Sequence, residues 1–328
     1  MCPLSTRAAL NPLRTEDLML PSADAGIALF MRNKAPAAMQ AFSAERTVLF
    51  VHGATYASEI SFDLRLGGQS WMDCIASHGY DVWLVDVRGY GRSSKPAAMS
   101  QPAGANPPFA GTEDAVRDVA AAVEHIVQRR GVSKLNLIGW SWGTAVMALY
   151  TTRRPERVNK LVLHAPLWTP PAHDYPLPPP PTTAYRSVTV EAARERWYSG
   201  VPPGKQAALV PAGWFSTWAR AMLASDPAGA ALEPPALRAP NGALADIYAA
   251  WRAGQPLYDA TQIRVPTLLI KAEWDVDTPS FMARELFASL THAPLKSCVE
   301  IGEGTHSVML EKNRAQLFGA VQAFLDGD

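Results

Sequence analysis

The sequence predicts an α/β chain, a mostly parallel, doubly wound sheet interrupted once by an inserted helical segment. Three observations carry this. Residues 47–51, 82–85, 135–138 and 267–270 are apolar runs with little or no alternation, the pattern of strands buried on both faces. Helical stretches lie between them, the βαβ order of a parallel sheet covered on both sides. Finally, residues 166–181 contain eight prolines in sixteen positions, which neither a helix nor a central strand accommodates. Strand-like sequence resumes only near residue 265.

In chain order, residues 1–17 read as a loosely held arm. Residues 18–31, broken by Ser22-Ala-Asp-Ala-Gly26, read as an edge hairpin. The strand at 47–51 ends in His52-Gly53-Ala54-Thr55. A short helix follows at 71–77, and the strand at 82–85 delivers Asp86-Val-Arg-Gly-Tyr-Gly-Arg-Ser93. After a loop at 95–110 rich in Pro, Ala and Gly, a long helix runs from Thr112 to Arg130. Glu113 and Asp114 suit its first turn, and Arg129 and Arg130 its last. Strands at 135–138 and 160–163 come next. The proline run then reads as a stiff, extended connector. Residues 182–258 are helical in flavour and rich in Trp and Tyr. A strand at 267–270, a helix at 280–289, a short strand at 297–301 and a final amphipathic helix at 312–325 close the chain. The expected division is a core of 1–166 and 261–328, with 167–260 as an inserted helical cap.

Composition narrows the function. Apolar residues make up 48% and charged residues 18%, as in a globular chain. Thirty basic and thirty acidic side chains cancel, which gives no electrostatic reason to expect nucleic acid or an anionic membrane as partner. No 18-residue apolar run is present, and the N-terminal residues lack the order of a signal peptide. Cys2, Cys74 and Cys298 are scattered without metal-ligand spacing, and the last two fall in apolar segments, as buried thiols do. The expectation is a reduced, cytoplasmic protein with a small-molecule substrate and no metal or cofactor, either monomer or homodimer.

The most informative stretch is Gly139-Trp140-Ser141-Trp142-Gly143. It joins the strand at 135–138 to a run of small and apolar residues at helical spacing. A turn this tight strains the serine backbone, and glycines two before and two after it leave room for neighbouring backbone. The hydroxyl is pushed out over the sheet edge, beside a helix N-terminus that favours negative charge. Ligands of such sheets bind beyond the C-terminal strand ends, where His52, Ser141, His164, Asp275 and His306 all fall. A serine hydroxyl needs a base. His306, after the last strand, is the candidate, and His164 is its competitor and a candidate pocket residue. Three carboxylates, Glu273, Asp275 and Asp277, crowd one loop and compete to orient the histidine.

Several motifs together resemble the α/β-hydrolase fold superfamily, in its cap-bearing serine hydrolase type. They are His52-Gly53, Asp86-x-Arg88-Gly89-x-Gly91-x-Ser93, Gly139-x-Ser141-x-Gly143, Asp275-x-x-Thr278-Pro279 and Gly304-Thr-His306. The resemblance implies an order of nucleophile, acid and base that selects Asp275, four before the proline. It implies an oxyanion hole made by the backbone N–H groups of Trp142 and Ala54, and a scaffolding pair of Asp86 with Arg88. Trp140 and Trp142 depart from the commoner flanking residues. Trp at the second place is familiar from haloalkane dehalogenases, but those carry Asp where this chain has Ser141, which argues against halide displacement and epoxide hydrolysis. The implied activity is hydrolysis of a small-to-medium carboxylic ester, lactone, thioester or carbamate through an acyl-enzyme. Carbon–carbon bond hydrolysis and cofactor-free perhydrolysis are the rivals within the fold. A catalytically weak, ligand-sensing relative is the rival from another class. Trp140, His164, Trp214 and Trp218 are the candidate pocket residues.

Overall fold

The computed structural model describes residues 12–170 and 177–327. Its centre is an eight-stranded sheet of order β1-β2-β4-β3-β5-β6-β9-β10. The strands are β1 (Leu13–Pro21), β2 (Ala28–Pro36), β3 (Thr47–Val51), β4 (Asp81–Val85), β5 (Leu135–Trp140), β6 (Val158–His164), β9 (Thr267–Ala272) and β10 (Lys296–Ile301). Pairings β1–β2 and β2–β4 are antiparallel, and the rest are parallel. β3, β4, β5 and β9 are buried along their whole length, which is why their sequences are apolar without alternation. β10 is an edge strand, half-exposed along most of its length.

Helices α1 (Ser58–Phe62), α2 (Trp71–Ser77), α3 (Thr112–Arg130), α4 (Trp142–Arg153), α10 (Ser280–Ser289) and α11 (Arg314–Asp326) flank the sheet. Apolar clusters fill both sides of it. Trp71, Ile75 and Phe318 lie in one, and Val119, Val123, Ile126 and Val146 in the other. Boundaries follow local chemistry. Ser70 and Asp73 form a reciprocal capping box at the start of α2, and Gly131 ends α3 in the left-handed conformation at φ 66°.

Between β6 and β9 the chain departs from the expectation of a purely helical insert. Helices α5 (Val190–Trp197), α6 (Gln206–Leu209), α7 (Trp214–Ala224), α8 (Pro227–Ala230) and α9 (Gly242–Arg252) are present, but so is a two-stranded antiparallel ribbon, β7 (Tyr185–Thr189) with β8 (Ala236–Pro240). Ala-Leu-Arg-Ala-Pro carries almost no β signal, and its partner lies some fifty residues earlier. The Asp246 carboxylate of α9 accepts the Thr112 backbone N–H at 2.6 Å, tying the insert to the start of α3.

Other expectations change as well. Residues 13–17 of the supposed arm are the first half of β1, while residues 1–11 and, within the proline connector, 171–176 lie outside the described residues. Cys298 is exposed on the edge strand, and Cys74, though fully buried, is disulfide-bonded rather than a free thiol. Among the described residues no helix is long and apolar enough to cross a membrane.

Candidate active site

Ser141 sits between β5 and α4 with φ 56° and ψ −124°, a conformation that a non-glycine residue adopts only when its surroundings enforce it. Here they do. Its N–H donates to the His164 carbonyl at 3.0 Å, and its carbonyl accepts from the Thr144 N–H at 2.8 Å and the Thr144 hydroxyl at 2.5 Å. Gly143 is a packing requirement, because a Cβ there would lie 2.5 Å from the His52 carbonyl oxygen. A Cβ on Gly139 would lie 2.6 Å from the Gly143 carbonyl carbon.

The loop after β10 brings His306 to the same edge. Its Nδ1 lies 3.0 and 2.9 Å from the two Asp275 oxygens. Asp275 is itself held by the Asp277 and Thr278 N–H groups, each at 2.9 Å, and by the Thr278 hydroxyl at 2.7 Å. Trp140 donates from Nε1 to the His306 carbonyl at 3.0 Å, so the residue before Ser141 clamps the histidine loop. With Nδ1–H given to Asp275, Nε2 is left as an acceptor; it is buried and makes no hydrogen bond. Burial resists protonation of this ring, but the Asp275 and Asp277 carboxylates outweigh it and raise the pKa above the ordinary histidine value.

Of the other two carboxylates on the loop, Asp277 approaches His306 Nε2 only to 3.9 Å and is paired with Arg196 at 2.9 Å. Glu273 turns away and accepts the Glu303 N–H. Of the three, Asp275 is the one whose carboxylate lies within hydrogen-bond distance of the His306 ring.

The positions expected to hold an oxyanion are well defined. Trp142 is the first residue of α4, so its N–H has no intrahelical acceptor. Next to it, the His52 ring spans its own loop. Nδ1–H donates to the Gly53 carbonyl at 2.7 Å, and Nε2 accepts the Val87 N–H at 3.1 Å. Because a trans peptide directs its C=O and N–H oppositely, fixing the Gly53 carbonyl also fixes the Ala54 N–H. Burial pushes the His52 pKa down to about 4, so it stays neutral in this role.

Several expected side chains stand elsewhere. A small cleft of about 10 Å³ beside His306 is lined by Tyr56, Trp140, Ala193, Arg196, Trp197, Asp277 and Ser307. Trp218 lies one layer behind it, edge-on to Tyr56 at 4.8 Å and to Trp197 at 4.9 Å. Trp214 is on the flank, its ring 4.4 Å from the Arg314 guanidinium and pressed on Gly67. His164 is fully buried with its ring edge-on to Trp71, and burial lowers its pKa to about 3, so it remains neutral. The indole of Trp142 points into the core, bonded to the Thr112 hydroxyl at 3.0 Å. Nor do Asp86 and Arg88 pair. Asp86 accepts the Ser58 and Arg92 N–H groups, whereas Arg88 binds Asp118 at 2.6 Å and Asp24 at 2.5 Å. Tyr56, Arg196 and Trp197 were missed by sequence reasoning. Only the aromatic density of 182–258 hinted at Trp197.

Comparison with known proteins agrees with this architecture. The profile of the alpha/beta hydrolase fold matches residues 46–313. Gastric triacylglycerol lipase of Rattus norvegicus is 29% identical over 117 residues, which are 36% of this chain and 30% of the lipase. The chain therefore matches only about 30% of the length of that relative. Proline iminopeptidase of Neisseria gonorrhoeae is 26% identical over 281 residues, covering 76% of this chain and 80% of the peptidase. Among solved structures, 2-hydroxy-6-oxo-6-phenylhexa-2,4-dienoate hydrolase from Rhodococcus sp. strain RHA1 superposes with a TM-score of 0.60 at 16% identity, covering 95% of this chain and 98% of that one. At that identity the likeness is one of fold.

Proposed function

This chain belongs to the alpha/beta hydrolase fold family, and we propose that it is a serine hydrolase cleaving a small-to-medium carboxylic ester through an acyl-enzyme. One observation carries the reading. Ser141 is held at φ 56° one residue after Trp140, whose indole bonds the His306 carbonyl, and that histidine has its Nδ1 fixed by Asp275 and a buried Nε2 without a partner. In this reading Nε2 takes the Ser141 proton as the hydroxyl attacks the ester carbonyl, and Asp275 steadies the imidazolium that forms. The N–H groups of Trp142 and Ala54 receive the oxyanion, which is worth several kcal/mol of barrier where donors are pre-placed. His306 then protonates the departing alcohol and activates water against the acyl-enzyme.

The segment 167–260 serves as a cap. Its α5 supplies Ala193, Arg196 and Trp197 to the cleft, which as it stands has room for about one water molecule. An acyl group therefore enters only when α5 shifts, and the apolar wall of Tyr56, Trp140 and Trp197 then excludes water from the reacting centre.

The test is hydrolysis of short p-nitrophenyl esters together with labelling by a fluorophosphonate. Turnover and a single adduct on Ser141 are expected. A folded protein with neither would mark the chain as a ligand-sensing relative and overturn the reading.

A further inference from the structure

One side chain of the insert reaches the oxyanion loop and has no part in the chemistry just described. Arg186 belongs to β7, register-locked opposite Ala239 of β8, so its backbone is fixed by the ribbon. Its Nη2 donates to the Ala54 carbonyl at 2.9 Å and to the Thr55 hydroxyl at 2.8 Å. Its Nη1 donates to the Pro240 carbonyl at 2.9 Å and to Asn241 Oδ1 at 3.2 Å. All four acceptors are neutral, and no carboxylate among the described residues lies within ion-pair distance of this guanidinium. Its neighbour Arg196 reaches the same Thr55 hydroxyl at 3.1 Å but is neutralised by Asp277. From the core side, the Tyr90 hydroxyl donates to the Ala54 carbonyl at 3.0 Å.

The Ala54 residue is thus gripped on both sides. Its N–H is aimed by the His52 clasp on the preceding peptide, and its carbonyl is held between Tyr90 and Arg186. A charged donor binds a carbonyl about twice as strongly as a neutral one. A partly buried cation without a carboxylate is unfavourable unless its position is useful. That position is the loop expected to meet a developing negative charge.

We propose that Arg186 is a positioning residue of the oxyanion hole, through which docking of the insert sets the geometry of the Ala54 N–H. This rests on the reading of Ala54 and Trp142 as oxyanion donors. The insert is then part of the machinery that stabilises the transition state, as well as a roof over the acyl group. Undocking it to admit substrate loosens the oxyanion loop, and closing it restores the hole around a bound ester.

The experiment compares Arg186→Gln and Arg186→Lys with wild type on p-nitrophenyl butyrate, and measures the affinity of each for phenylboronic acid, which mimics the tetrahedral species on serine. Loss of one oxyanion donor costs about 10²–10³ in kcat, and a group acting through that donor should cost less. Arg186→Gln is therefore expected to lower kcat by about 10- to 100-fold with KM changed less than about threefold. Boronate affinity should fall by a similar factor, and Arg186→Lys should recover part of both. Loss confined to KM, or kcat within about twofold of wild type, overturns the inference. Should Arg186→Gln not fold, Arg186→Lys, which cannot keep all four bonds of the guanidinium, carries the test, and a kcat and boronate affinity equal to wild type there overturn the inference equally. Ser141→Ala on the same ester separates the two readings. If it retains turnover, the serine hydrolase reading itself fails. If it is inactive while Arg186→Gln is not impaired, only the role of Arg186 is lost.

Discussion

Glu311 offers a sharp test of how the histidine loop is built. The residue is fully buried, and its carboxylate accepts the Trp197 indole N–H at 2.9 Å, the Thr305 N–H at 3.0 Å and the Thr305 hydroxyl. It thereby joins α5 to the residue preceding His306. No cation pairs with it among the described residues, and burial pushes its pKa from the ordinary 4.5 up to about 7. The sign follows from proton linkage. Between pH 4.5 and 7 the folded protein keeps a proton that the unfolded chain has released, so stability falls as pH rises through that window. Below it no penalty applies, and above it the penalty is complete. At about 1.4 kcal/mol per pH unit, the full penalty is about 3 kcal/mol. Glu311→Gln cannot titrate. Its amide N–H₂ must face the Thr305 N–H or another donor, which costs about 1–3 kcal/mol at every pH. The variant should therefore be less stable than wild type at pH 4.5 and gain on it by about 3 kcal/mol by pH 8. Urea melts at five pH values across that range measure the difference, in which every other titrating group cancels. A difference constant with pH, or one moving the other way, would show that Glu311 is ionised without penalty and would refute the reasoning.

Other outcomes follow from the site. Ser141→Ala should leave a folded protein with hydrolysis lower by about 10⁴- to 10⁶-fold, read as kcat on a chromogenic ester. Asp275→Asn should cost about 10⁴ in kcat, whereas Asp277→Asn, which loses the Arg196 pair but no bond to His306, should cost far less; the reverse ranking would move the acid two residues along. In wild type, kcat/KM should fall on acidification with a midpoint above the ordinary histidine value, because Asp275 and Asp277 raise the His306 pKa; a midpoint below it would contradict the geometry. Trp218→Ala should mainly lower the melting temperature, since the ring lies behind the cleft, while Trp197→Ala should also alter relative kcat/KM among ester chain lengths.

Much of this protein is written locally in its sequence. Burial on both faces forces β3, β4, β5 and β9 to be apolar, so each is visible as a short unbroken run. The turn at Ser141 is equally legible. Its two glycines stand within two residues of the serine, although the groups that hold the turn include the distant His52 and His164 carbonyls, and the shared placement of strand ends brings Asp275 and His306 to the same edge. What the tertiary structure alone decided depends on contacts between distant residues. The pairing of β7 with β8, the Arg186 bonds to Ala54 and Thr55, and the Glu311 bond to Trp197 join positions separated by about fifty to more than a hundred residues. None has a periodicity or a motif, because an arginine, a glutamate or a tryptophan can serve equally on a surface or in a core. Trp214 and Trp218 show the same limit. They are four residues apart on one helix, yet one packs on the buried Arg314 guanidinium and Gly67 and the other backs the cleft. Local sequence sets which backbone shapes are affordable, whereas the packing of the insert against the sheet edge decides which side chains meet there.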